Sequence, residues 1–154
     1  MVFALDDGIK AKLEEYVDIL YSAVPQCFCE RLVSNTFHVT LHDLSNSPNL
    51  SDVAEELFHN ELKIIEAKRR IQARGEVDIR LKSKYVFNMV DTSLVLGLYP
   101  ATERDYADLM ELYSIIDGVK KLSYPLTPHI TLAYYNVSGF DKTSAESLAD
   151  VVNR

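Results

Sequence analysis

The chain has 154 residues, 47% of them apolar, which is enough for one domain (1–154) with a core and too little for two independent ones. With 16 basic against 23 acidic residues the net charge is −7, which excludes a protein that coats long nucleic acid, because like charge repels the phosphate backbone. No run nears the roughly 20 apolar residues of a bilayer span, and the N-terminus lacks the basic and apolar stretches of a signal peptide, so a cytoplasmic protein with no membrane partner is expected. Cys27 and Cys29, two residues apart, read as reduced thiols rather than as a bridge or a zinc site.

In chain order, Val2 to Leu5 reads as a short strand, and Asp6-Asp7-Gly8 leads into a helix over Ile9–Val24 that Asp7 can cap and Pro25 ends. After an ambiguous Cys27–Leu32 stretch, alternation predicts a strand over Thr36–Asp43. Ser45-Asn46-Ser47-Pro48-Asn49 is a turn cluster, and Ser51 is placed to cap one long helix to about Ala73. Its acidic start and its basic end, Arg69, Arg70 and Arg74, follow the order that the helix macrodipole prefers. Gly75 stops it. Three strands are expected next, over Val77–Leu81, Tyr85–Val90 and Leu94–Tyr99, the last two joined as a hairpin. Pro100 then opens a helix over Thr102–Ile116, Leu126–Tyr135 is a strand, and Thr143–Val152 is a final helix. Between Lys63 and Lys84 eight basic residues face three acidic ones, a local +5 that suits either a solvated helix end or a phosphorylated ligand.

Two of the strands carry the same signature. Phe37-His38-Val39-Thr40-Leu41-His42 returns 91 residues later (129 − 38) as Pro128-His129-Ile130-Thr131-Leu132. On a strand, His38 and Thr40 share one face, as do His129 and Thr131, and residues two apart are separated by roughly 6.5 to 7 Å, so an imidazole and a hydroxyl can touch one phosphate-sized group. The surrounding elements repeat as well: strand, helix, His-x-Thr strand and helix occur over residues 2–73 and again over 94–152, joined by strands within 77–90. The expected fold is α+β: bilobal and pseudo-twofold, with antiparallel sheets backed by helices around a central cleft.

This pair of motifs resembles the two-histidine (2H), or LigT-like, phosphoesterases, which carry a His-x-Thr/Ser motif on each of two central strands. The run Pro125–Ala133 looks like the family's second motif and Val2–Asp6 like its opening strand. The resemblance implies the same bilobal fold and metal-independent cleavage of a 2′,3′-cyclic phosphate nucleotide, an RNA end or a related small phosphodiester. It implies His38 and His129 as acid and base, in either order, with Thr40 and Thr131 as phosphate anchors. The residues fit such chemistry on their own terms: one group takes a proton from the nucleophile while another gives one to the leaving oxygen, and an imidazole of ordinary pKa near 6.5 can do either.

Other readings compete. His42 shares the face of His38, with Asp43 beside it, but positions four apart on a strand are about 13 Å apart, too far for one ion held at about 2 Å, so neither a metal nor another cofactor is expected. His42 reads instead as a rim residue, and by strand parity Tyr135 shares the face of His129 and Thr131, which makes both candidate substrate contacts. The partner expected is a small nucleotide or an RNA terminus. A non-catalytic module that keeps the cleft to bind a nucleotide or a protein is the alternative, and turnover of a cyclic nucleotide separates the two. After the second motif the chain supplies no counterpart of the 77–81 strand, so a sheet edge is expected to be exposed, covered, or paired in a homodimer.

Overall fold

A computed structural model describes residues 1–153. Among them the fold is α+β, with five α-helices and two sheets. The order is β1 (Val2–Ala4), α1 (Asp7–Ala23), β2 (His38–Thr40), α2 (Leu50–His59), α3 (Glu61–Arg74), β3 (Leu81–Met89), β4 (Ser93–Pro100), α4 (Glu103–Asp117), β5 (His129–Tyr134) and α5 (Lys142–Val152). β1 pairs with β2, and the second sheet has the order β3-β4-β5. The chain forms two compact units, each assembled from separated segments.

The first unit comprises Met1–Val2, Thr40–Lys82 and Tyr99–Pro128. Its helices α3 and α4 pack through Ala67, Ile115, Ile116 and Val119, with Leu44, Ile64 and Ile71 around them. The single helix expected from Ser51 to Ala73 is two: α2 is capped by Asn49, whose side chain accepts from the Ser51 N–H, and ends at Asn60. There the Glu56 carbonyl accepts both the Asn60 N–H at 3.2 Å and the Asn60 amide Nδ2 at 3.0 Å, a side-chain bond that closes α2 locally. α4 starts on Thr102, whose hydroxyl accepts from the Asp105 N–H, so Pro100 closes β4 instead of opening the helix.

The second unit comprises Phe3–Val39, Ser83–Leu98 and the chain from His129 onward. Asp6, rather than Asp7, caps α1. The helix buries Leu13, Val17 and Leu20 at helical spacing. Leu20 and Val24 join Cys27, Phe28, Leu94, Ala133 and Leu148 in a core that brings α1 and α5 against one face of the β3-β4-β5 sheet. Fully burying one such Leu contributes about 1.5 to 3 kcal/mol. The two strands expected over 77–90 are one strand, Leu81–Met89, because the polar run Lys82-Ser83-Lys84 is exposed strand, not a break. Its turn into β4 has Val90 and Asp91 both at positive φ (44° and 58°) and closes through Thr92 N–H to Met89 O at 3.0 Å, which fits a type I′ hairpin turn.

β4 and β5 are antiparallel, with Gly97 opposite His129 and Val95 opposite Thr131. Between Leu94 and Val95 the register shifts: Leu94 lies opposite Ala133, so Leu132 is an extra residue on β5. This bulge reverses the facing of everything after it. Leu132 and Ala133 are both fully buried, which strict alternation forbids.

Candidate functional site

Both motif histidines and Thr131 belong to the second unit, while Thr40 belongs to the first. β2 alternates as the sequence implies: His38 is exposed, Val39 buried and Thr40 half-buried. A single 3₁₀ turn, Ser34–Thr36, precedes it, closed by Thr36 N–H and Thr36 Oγ1, which both donate to the Val33 carbonyl at 2.9 and 2.7 Å. That turn aims the Thr36 carbonyl at the His38 ring, whose Nδ1 lies 2.6 Å away. A carbonyl only accepts, so Nδ1 carries the proton. In the neutral ring, Nε2 then holds the lone pair, and in the charged ring it holds the second proton.

His129 opens β5 and is half-buried, as is Thr131, whereas Ile130 and Leu132 are buried. The strand ladder to β4 holds this motif, with Gly97 and Val95 as its opposite numbers. Helix α1 contacts both β5 and the 3₁₀ turn that steers His38. One rigid element therefore backs the two histidine-bearing segments.

The two residues expected as substrate contacts are each packed against the protein's own side chains. His42 is 1% exposed and sits inside the first unit, its Nδ1 donating to the Asp43 carbonyl at 3.0 Å, its Nε2 3.4 Å from Asp117 Oδ1, and its ring 5.2 Å from that of Tyr113. The structure thus places it in a core polar cluster and not at a rim. Tyr135 lies beyond the bulge, so parity with Thr131 does not carry through to it. Its ring joins a run Tyr21, Phe28, Tyr135, Phe140 with centroid separations of 5.1, 6.0 and 5.6 Å, against the core shared with α5. Burial pushes the phenol upward, above its ordinary pKa.

Thr36 escaped the sequence reading, because its contribution is a backbone carbonyl. A signal was present: the repeat is longer than His-x-Thr, running Thr36-x-His38-x-Thr40 and Thr127-x-His129-x-Thr131. Of the eight basic residues between Lys63 and Lys84, Arg69 pairs with Glu66, Arg74 with Asp108 and Glu111, and Arg80 with Asp105, so part of the local charge is spent inside the first unit. Among the described residues, no three His, Cys, Asp or Glu side chains converge as metal ligands, and no helix is long and apolar enough to cross a membrane.

No protein-family model matches the sequence, and no curated protein matches it. Among solved structures the chain is similar to Usb1 of Kluyveromyces marxianus determined with uridine monophosphate, at 16% identity and a TM-score of 0.53. A second structure of the same Usb1 is similar at 15% identity and a TM-score of 0.52. In both, the match covers 99% of this chain and 78% of the other. At this identity the likeness is one of fold: the chain shares an architecture with Usb1 over nearly its whole length.

Proposed function

We propose that the chain is a metal-independent phosphodiesterase that opens a 2′,3′-cyclic phosphate or cleaves a phosphodiester at an RNA end, with His38 and His129 as acid and base. The observation that carries this reading is the contact of α1 with both the turn that orients His38 and the strand that presents His129. One imidazole takes a proton from the attacking water as the P–O bond forms. The other protonates the ribose oxygen as its bond to phosphorus breaks, and Thr40 and Thr131 donate to nonbridging oxygens. The fixed Nδ1–H of His38 supports this role, because it leaves Nε2 as the nitrogen that exchanges protons. The fold shared with a Usb1 captured with a nucleotide supports a nucleotide-sized ligand. The lengthened repeat supports a site built from two equivalent halves, one from each half of a pseudo-twofold chain.

The test is turnover of 2′,3′-cyclic nucleotides by the pure protein in EDTA, followed over pH. A two-histidine mechanism gives a bell-shaped profile whose two macroscopic pKa values belong to the pair. Binding without turnover would leave the non-catalytic module, and activity that EDTA abolishes and zinc restores would replace this mechanism altogether.

A further inference from the structure

The sheet face that bears His129 continues onto β3. A Cβ built on Gly97 would stand 3.0 Å from Cε1 of Phe87 and 3.3 Å from the Tyr85 carbonyl oxygen. The Phe87 ring therefore fills the space into which a residue at 97 would project. Gly97 lies opposite His129 in the β4–β5 register, and opposed residues project to the same side. Phe87, and with it Tyr85 two residues earlier on the same strand, thus shares the face of His129 and Thr131. The glycine makes this possible, since any side chain at 97 would stand between the rings and the histidine. Val86, from the alternate position on β3, packs instead against the core of Leu94 and Ala133 on the far face.

The two rings are 5.4 Å apart and inclined at 60°, and the ammonium of Lys84 lies 5.4 Å from the Tyr85 centroid. Yet Tyr85 is 53% exposed, so core packing does not account for a tyrosine at this place. With strands spaced by about 4.8 Å, β3 runs roughly 10 Å from β5, a separation that one nucleotide bridges from phosphate to base. The Lys84 ammonium lies over part of the Tyr85 ring as a cation–π contact, and the ring surface that stays exposed offers a flat π face to a base.

We propose that Tyr85 and Phe87 form a platform for the nucleobase of the substrate whose phosphate is held at His129 and Thr131. This rests on the phosphodiesterase reading for the position of the phosphate. It narrows the substrate class to phosphodiesters that carry a base, such as a cyclic nucleotide or a terminal nucleotide of RNA, and makes Tyr85 a specificity residue.

The experiment compares wild type, Tyr85→Ala and Tyr85→Phe of the full chain on 2′,3′-cyclic AMP and on the base-free 2′,3′-cyclic phosphate of methyl riboside. AMP binding is titrated alongside by calorimetry, with far-UV circular dichroism to check folding. Losing one stacking ring should lower the ratio of nucleotide to base-free kcat/KM and weaken AMP binding by roughly 5- to 100-fold. The Tyr85→Phe variant, which keeps the π face, should recover most of both. An unchanged ratio in a wild type that turns over both substrates would overturn the platform and leave the phosphodiesterase reading standing. A wild type that binds AMP in a Tyr85-dependent way without turnover would keep the platform and overturn the catalysis. A wild type that does not bind AMP would overturn the platform.

Discussion

The two His-x-Thr segments share a sequence pattern and differ in what holds them. His38 stands on a three-residue strand and is exposed, and its ring is oriented by a hydrogen bond to a carbonyl two residues before it, presented by a single 3₁₀ turn. His129 begins a six-residue strand laddered to β4, and is half-buried across from a glycine. Both strands are paired nonlocally, but the His38 ring is also oriented by a local turn on a much shorter strand, so the same perturbation should affect the two motifs unequally. What they have in common is α1.

The largest effect expected is on catalysis. His38→Ala and His129→Ala should each lower turnover of a cyclic nucleotide by roughly 10²- to 10⁴-fold, the range for one general acid or base. Equal full activity in either variant would dissolve the comparison, because that motif would then do no chemistry. Next comes the shared support. Leu20→Ala removes a fully buried side chain from the core face of α1 and should cost about 2 to 5 kcal/mol in urea unfolding. If α1 backs both motifs, nuclear magnetic resonance of that variant should show shifts at both His38 and His129, and shifts confined to one would separate them.

A smaller effect sharpens the role of the turn. Thr36→Ala deletes the hydroxyl bond to Val33 but keeps the carbonyl that orients His38, so a loss of about 1 kcal/mol in stability is expected, together with near-normal activity. Thr36→Pro would instead remove the N–H that closes the turn, and activity should then fall along with stability. On the β5 side, the hairpin that presents β4 spends conformational energy on Val90, a β-branched residue at φ 44° with 81% of its surface exposed. Val90→Asn should therefore stabilise the protein by about 0.5 to 1 kcal/mol in the same urea assay, with no packing lost.

The smallest expected effect is acid sensitivity. In the second unit, the Ser144 N–H at 2.7 Å from the Asp141 carboxylate holds its pKa below the usual carboxylate value. In the first unit, the Thr102 hydroxyl and then the Arg80 N–H do the same for Asp105. A carboxyl whose folded pKa is depressed adds stability that is complete above its unfolded value, near 4, and is lost as pH falls through the folded value. The urea midpoint should be level from pH 6 to 7.5 and drop below about pH 4. Asp141→Asn keeps an N-cap acceptor without the titration, and should flatten part of that drop.

Much of this organisation was legible. Apolar spacing placed α1, α4 and α5 to within a residue or two, and alternation put both motif histidines on strands. Three things were not. The break at Asn60, where side chain and main chain both donate to the Glu56 carbonyl, is one that no propensity separates from an ordinary helical Asn. The bulge at Leu132 changed the face of Tyr135, although the adjoining apolar pair Leu132-Ala133 hinted that alternation fails there. The third was the kinship of Phe87 with His129, which passes through Gly97, a residue that contributes by having no side chain and so leaves no chemical mark of its own.

The way the two units divide the sequence has a kinetic corollary. Each is stitched from three stretches, and neither has all its parts until the chain has been made as far as Pro128 for the first and beyond His129 for the second. The β3–β4 hairpin can form within microseconds of its synthesis, but β5 must find it across the 28 residues between Pro100 and His129. On a ribosome, then, the segment holding His38 waits as an incomplete assembly until β5 has been made. Refolding from denaturant should be governed by this long-range search rather than by helix formation.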